Sequence, residues 1–290
     1  MIEGDIYINC SDISSFIGQN KWDYWTPFIR LWKRVDSKGY MQCEQLSKNV
    51  PNTHRGVMDK HVELQETLGE TFIKETIKTT SNKEELVKNI KESHEIIDKL
   101  DVPDQKKVEL KTNVESLVNT SYGISNEYSA LELYEMRYKV ILDKSQPFKK
   151  IKINNVGNEQ FIYICGKIDG LLKDTKTNSD IKIIEVKTRT KCFFKGIRDY
   201  ENTQFQVYMY MFDVDIVDLV EYMPQNKIKI KITPVKKNKK CMDDILSKLN
   251  IFTDNFISFV QSPIDEKFKF FIMDNDDKKT FLNNLYLKEM

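Results

Sequence analysis

No stretch of the 290-residue chain holds the ~18 consecutive apolar residues that a membrane-spanning helix needs. The opening MIEGDIYINCSDISS has neither a basic n-region nor an apolar h-region, so no secretory leader is expected. Cysteine is sparse. Cys10, Cys43, Cys165, Cys192 and Cys241 are odd in number, scattered, and contain no C-x-x-C pair. That excludes a disulfide framework and indicates reduced thiols in an intracellular protein. Three histidines, His54, His61 and His94, supply no second half for a zinc or iron–sulfur site. An excess of one charge is also missing, since 45 Lys+Arg stand against 44 Asp+Glu. A polybasic coat is thereby excluded, but a local basic patch is not. No internal repeat or low-complexity linker is visible. What is present is material for a core: 40% of residues are hydrophobic and 11% aromatic. A chain of this length and composition buries a sizeable interior and is not mainly disordered.

The chain reads as one domain over 1–290. Residues 7–35 form two short helical pieces around a turn, with Gly18 as terminator. Trp22, Trp25, Phe28, Ile29 and Trp32 follow at helical spacing, which is best read as core packing rather than base stacking. Residues 36–54 are polar loop, closing an N-terminal helical region over 1–54. Gly56 to about Lys78 is a long helix striped by Val57, Leu64, Leu68 and Phe72. Residues 82–119 are a charged helical hairpin broken at Pro103. A β-sheet core with its own helix then spans 128–262. LELYEMRYKVIL (131–142), FIYICGKIDGLL (161–172) and IKIIEVK (181–187) read as strands. A helix is expected at 197–213, strands near 216–222 and 227–233, and a last amphipathic helix near 243–260. The order implies an α/β domain with a helical N-terminal elaboration.

The chemistry concentrates at 165–208. Asp169 ends one expected strand in CGKIDG, and Glu185 and Lys187 lie on the next, in IIEVK. Alternation puts Glu185 and Lys187 on one strand face. Hairpin pairing brings Asp169 beside Glu185, and two carboxylates so placed repel unless a cation sits between them. A hard dication such as Mg²⁺ suits that position. It would polarise a phosphoryl oxygen and acidify a bound water, with Lys187 orienting that water or neutralising developing charge. The implied substrate is a phosphodiester. An acidic-x-Lys tripeptide alone means little in a chain that is 31% charged. Pro103-Asp104 followed by Glu109-Leu110-Lys111 even spells PD-x₄-ELK. Its apolar spacing is helical, though, where positions i and i+2 diverge. At 185–187 the charges interrupt an otherwise buried apolar strand, where charge is costly unless paired or bound to metal.

GKIDG, then IIEVKTR, then a helix carrying Gln204-Phe-Gln-Val-Tyr208 resembles the PD-(D/E)XK nuclease superfamily, with the Q-x-x-x-Y helix similar to the branch of RecB-type domains, lambda exonuclease and YqaJ viral recombinases. CSDISSFIGQNKWDYW resembles the YqaJ opening. The resemblance implies a restriction-endonuclease-like core, a central mixed β-sheet flanked by helices. It implies Asp169, Glu185 and the carbonyl of Val186 as metal ligands and Lys187 as the catalytic lysine. Gln204 and Tyr208 would brace the site or meet the DNA backbone, and Ser11 would help hold a terminal phosphate. In the family a helix ahead of the sheet begins near a Gly and supplies a further acid, usually four residues on. HRGVMDKHVELQETLG is the expected segment, and Glu63 the expected acid. Gly56 plus four is Lys60, so Asp59, Glu66 and His61 compete with Glu63. Ile168 replaces the proline before the aspartate, and the arginine expected ahead of Ser11 is absent.

Thr188, Arg189 and Lys191 follow the lysine, and Lys195 and Arg198 open the next helix, whose amides also favour an anion. Lys227, Lys229, Lys231, Lys236, Lys237, Lys239 and Lys240 form the most basic stretch, which equally suits edge protection of an outer strand. No base-reading module is visible. The implied activity is Mg²⁺-dependent DNA hydrolysis, with Mn²⁺ substituting, leaving a 5′-phosphate. The implied setting is 5′→3′ digestion of duplex ends in viral or phage-type recombination, in host cytoplasm or nucleus if viral. Implied partners are double-stranded DNA ends, a single-strand annealing protein and further copies of the chain. A structure-selective or single-strand endonuclease on the same fold, and a DNA-binding scaffold with a decayed site, are the rival readings.

Overall fold

The computed structural model describes residues 4–20, 25–48, 64, 68–69, 80–156, 160–224 and 229–287. The protein is a mixed α/β structure with two sheets flanked by helices. The chain opens with strand β1 (Ile6–Asn9), a 3-10 turn (Cys10–Asp12), α1 (Ile13–Phe16), α2 (Thr26–Val35) and α3 (Ser37–Ser47). A hairpin of α4 (Lys83–Asp98) and the 35-residue α5 (Asp104–Tyr138) follows. Then come β2 (Leu142–Asp143), β3 (Phe148–Val156), β4 (Gln160–Lys167), β5 (Gly170–Lys173) and β6 (Asp180–Thr188). Helix α6 (Asp199–Phe212) leads to β7 (Ile216–Met223) and β8 (Lys229–Lys236). The chain ends on α7 (Lys239–Gln261), α8 (Ile264–Ile272) and α9 (Asn275–Leu287).

The first sheet is ordered β1-β4-β3, the second β2-β5-β6-β7-β8. Strands β6 and β7 pair in parallel, which requires a crossover, and α6 provides it. Alternation along β6 divides its neighbours. Ile183 faces the main core with α6, whereas Ile184 and Val186 pack on Ala130, Leu131 and Tyr134 of α5. The second sheet is therefore covered on both faces. A further small core, Leu86, Ile97, Leu110, Val114, Val118 and Tyr122 with Leu64, holds the α4–α5 hairpin together. Buried residues recur every three or four positions along α7, from Met242 and Ile245 to Leu249, Phe252, Phe256 and Phe259. They meet an aromatic cluster in which the Phe16 and Phe252 rings stack at 4.3 Å and Trp32 meets Phe259 edge-on at 5.0 Å. Phe28 and Trp32 are thus core residues, as their spacing suggested, while Trp22 lies outside the described residues.

Several elements differ from the sequence expectation. Residues 131–138 are helical rather than the start of a strand. The apolar stripe Leu110, Val114, Val118, Tyr122, Ala130 and Tyr134 runs on at a spacing of four, or eight across buried Asn126, and overrides the β-forming composition of LELYEMRY. The second arm of the hairpin hence continues to Tyr138, and the strands that follow it begin at Leu142. The N-terminal region, expected to be helical from residue 7, opens instead with strand β1, which pairs in parallel with β4. The expected loop at 36–54 contains α3, capped by Asp36, whose carboxylate accepts from the Gly39 amide at 3.0 Å. The expected strand at 161–172 is two strands in different sheets, broken at Ile168 and Asp169. The segment PD-x₄-ELK is the first turns of α5. Its Lys111 pairs with Asp98 at 2.7 Å in solvent, and its Lys106 with Glu109 at 3.5 Å. No described helix is long and apolar enough to cross a membrane. All five cysteines are free thiols.

Candidate active site

Asp169 occupies the point where the chain leaves the first sheet for the second. Gly170 pairs with Ile184, so Asp169 falls beside Glu185, and Asp169 Oδ2 accepts the Val186 amide at 2.7 Å. Glu185 is buried on β6 among apolar residues. Lys187, two residues on and on the same face, donates to Glu185 Oε1 at 3.0 Å and to Gln204 Oε1 at 3.3 Å. Gln204 Nε2 donates in turn to the Tyr208 hydroxyl at 2.9 Å, one helical turn along α6. Six of the residues singled out in the sequence, Asp169, Glu185, Val186, Lys187, Gln204 and Tyr208, therefore form one connected group.

Beside that group stands a carboxylate that the sequence expectation does not include. Glu127 on α5 has a carboxylate that accepts from Gln146 Nε2 at 3.4 Å, and its pKa is raised first by burial and then by the Asp169 charge, with Lys187 opposing. Helix α5 immediately precedes strands β2 to β6. Its Gly123 stands four residues before Glu127, the spacing that Gly56 fails to supply, and the Gly123 carbonyl accepts from Thr188 Oγ1 at 3.3 Å. Glu63, Asp59, His61 and Glu66 lie outside the described residues.

The acids are unfavourably charged as they stand. Burial pushes the Glu185 carboxyl up to about 8, with the Asp169 charge adding and Lys187 opposing. Burial and then Asp169 push Glu127 up to about 7. Burial also raises Asp169, against the pull of Lys187 and the Val186 amide. For Lys187 burial works downward, but Glu185 and Asp169 outweigh it and its pKa rises. The ammonium is the cation these carboxylates share. Among the described residues no three His, Cys, Asp or Glu side chains converge closely enough to hold a metal ion. The donor chemistry nonetheless fits one. Glu185 Oε2 is buried without a hydrogen-bond partner among the described residues, and every nearby acidic donor is a hard oxygen.

The remaining expected contacts divide. Ser11 is exposed in the 3-10 turn, whose Cys10 Sγ donates to the Gln204 carbonyl at 3.5 Å. Lys191, Lys195 and Arg198 are exposed, the last with its guanidinium 4.4 Å from the Phe194 ring centroid. Arg189 is not available to a phosphate. Its guanidinium is held between Glu201 at 2.8 Å and Glu221 at 2.9 Å, and only 10% of its side chain is exposed. Two buried acids on neighbouring elements claim it, a requirement invisible in local sequence. Lys231 is similarly tied to Glu221 at 2.9 Å. Lys227 and the side chain of Lys229 lie outside the described residues.

No protein-family model and no curated protein matches the chain. Solved structures that it resembles include an alkaline exonuclease from Laribacter hongkongensis, at 13% identity and a TM-score of 0.36 over 69% of this chain and 94% of that one. Another is a phage-related exonuclease from Haemophilus somnus, at 12% identity and a TM-score of 0.36 over 85% and 92% of the two chains.

Proposed function

We propose that the chain is a divalent-metal-dependent DNA nuclease of the PD-(D/E)XK kind. The observation that carries this reading is the group of buried Glu185 with half-buried Asp169 and Lys187, braced by Gln204, with Glu185 Oε2 left without a partner among the described residues. Asp169, Glu185 and the Val186 carbonyl would hold Mg²⁺ or Mn²⁺, with Glu127 drawn toward them once the ion is bound; the metal would polarise the scissile phosphoryl oxygen and lower the pKa of a bound water. Lys187 orients the attacking water and compensates negative charge as it builds at phosphorus. Gln204 fixes the ammonium, and Tyr208 fixes Gln204. The Val186 amide holds one oxygen of Asp169, which leaves the other for the metal. Lys191, Lys195 and Arg198 offer exposed positive charge around the β6–α6 loop for the DNA backbone.

Resemblance of the Q-x-x-x-Y helix and of the N-terminal segment supports exonucleolytic digestion of duplex ends, 5′→3′, in recombination alongside a strand-annealing protein. The test compares wild type and Lys187→Ala on linear duplex with and without a 5′-phosphate, on circles and on flaps, with Mg²⁺ or Mn²⁺. Wild type should shorten linear duplex, and Lys187→Ala should be slower by about 10²–10⁴-fold. Equal rates for the two proteins remove the reading. Preference for flaps or circles over ends would leave a nuclease but not an end-directed one.

A further inference from the structure

We infer that the outer face of the β1-β4-β3 sheet is a binding track for single-stranded nucleic acid that leads along β4 into the site at Asp169. The inference rests on the nuclease reading only for what lies at the end of the track; binding to the face stands independently. The inner face of this sheet carries Ile6, Ile8, Ile162 and Ile164, all buried in the main core. By alternation the outer face carries Tyr7, Phe161, Tyr163 and Lys167, together with Phe148, Lys150 and Lys152. The register sets Phe148 opposite Lys167, Lys150 opposite Cys165, and Lys152 opposite Tyr163, which in turn lies opposite Tyr7.

The resulting surface interleaves rings and ammonium groups. Tyr7 and Tyr163 stack at 5.4 Å. Lys150 Nζ sits 4.9 Å from the Tyr163 ring centroid, and Lys152 Nζ sits 3.7 Å from that of Phe161. Lys150, Lys152, Lys167 and Phe148 are exposed. Cross-strand ring pairs add some stability to a sheet face and edge protection accounts for lysines, but neither calls for rings and ammonium groups alternating along one solvent-facing surface. Rings that stack bases and amines that meet phosphates together are what a single strand requires, and they are indifferent to its sequence. Asp5, which accepts from the Phe161 amide at 3.0 Å, places negative charge at the far end. From Phe161 to Lys167 the track runs for about 20 Å. It stops two residues short of Asp169, beside Gln146, whose side chain reaches Glu127.

The experiment measures binding of a fluorescent oligothymidylate about 12 nucleotides long, in chelator so that hydrolysis is silent. The proteins are wild type, Lys150→Glu/Lys152→Glu and Phe148→Ala. The double variant should bind at least tenfold more weakly, by order of magnitude, with a salt slope shallower by about 1.4. Phe148→Ala should lose at least about fivefold. An iodouracil-substituted oligonucleotide, irradiated on wild type, should crosslink to Tyr7, Tyr163, Phe161 or Phe148, a readout that misfolding cannot produce. Unchanged affinity in both variants, or crosslinks confined to other elements, overturns the inference. A changed oligomeric state with unchanged oligonucleotide affinity overturns it too, in favour of an interface between copies. Lys187-dependent hydrolysis with no effect of the track variants sinks this inference alone. Track-dependent binding by a protein that hydrolyses nothing sinks the nuclease reading alone.

Discussion

Lys187 Nζ donates to Glu185 Oε1 at 3.0 Å, yet Glu185 Oε2 is buried with no partner among the described residues. One ammonium thus serves a group of acids that need more positive charge. Glu185 rises from 4.5 to about 8 and Glu127 from 4.5 to about 7, both first through burial. In metal-free protein the native state holds protons that the unfolded chain has already released. Stability from these groups is therefore intact below about 4.5 and falls as pH climbs toward about 8. Lys187, raised rather than lowered, is protonated in both states across this window and does not change the slope. A dication binds the ionised acids and must displace those protons. Calorimetric melting with chelator should show a midpoint that declines between about pH 5 and about pH 8, and Mn²⁺ should raise it more at the upper end. A Mn²⁺ increment independent of pH would refute the link between these acids and metal.

Glu127, rather than Glu63, is expected to be the acid contributed by the helix. Glu127→Gln should weaken Mn²⁺ binding by about tenfold or more in calorimetry and depress hydrolysis in parallel. Glu63→Gln should leave both near wild type. The opposite pattern would return the role to the segment after Gly56. Because glutamine keeps the size and the contact with Gln146, the stability of Glu127→Gln should not fall.

Much of this site was legible because its signals are local. Glu185 and Lys187 interrupt an apolar strand with period-two spacing, and Gln204 and Tyr208 sit one turn apart on a helix. Geometry alone was enough to discard the PD-x₄-ELK segment. What was illegible depends on partners distant in sequence. The break at Ile168 and Asp169 follows from β4 pairing with β1, more than 150 residues earlier, so that one apolar run serves two sheets. The strand β3 is masked by its own lysines. Glu127 is hidden from sequence reading because LELYEMRYKVIL alternates like a strand and masks the true end of the helix. The Gly123-x-x-x-Glu127 spacing was nevertheless present to be read.

Arg189 and Lys191 should separate cleanly by assay. Arg189→Met removes the cation between Glu201 and Glu221, each 1% exposed. Glu221 keeps Lys231 at 2.9 Å, but Glu201 is left buried without its cation. An uncompensated buried carboxylate costs about 3–5 kcal/mol, which chemical denaturation will register as a lower midpoint. Lys191→Ala should change stability by less than about 0.5 kcal/mol and instead flatten the salt dependence of DNA binding by about one unit. A stable Arg189→Met protein with weakened DNA binding would restore the phosphate-contact role.

Gly166 is the residue through which the N-terminal turn and the α6 brace share space. A methyl group there would stand 2.9 Å from Tyr208 Cε1 and 3.0 Å from Cys10 Cβ. Neither neighbour yields easily. The buried Tyr208 hydroxyl is held by Gln204, and Cys10 is on the turn docked against α6. Gly166→Ala should therefore cost about 1–3 kcal/mol and displace Tyr208. Displacement loosens Gln204 and with it the ammonium of Lys187, so kcat should fall more than KM rises. Gly196→Ala is the matched control, since a methyl group there meets nothing within 4 Å. It should stay within about 0.5 kcal/mol of wild type. Gly166→Ala with wild-type melting and wild-type kcat would show that the Tyr208–Gln204 brace does not set the position of the lysine.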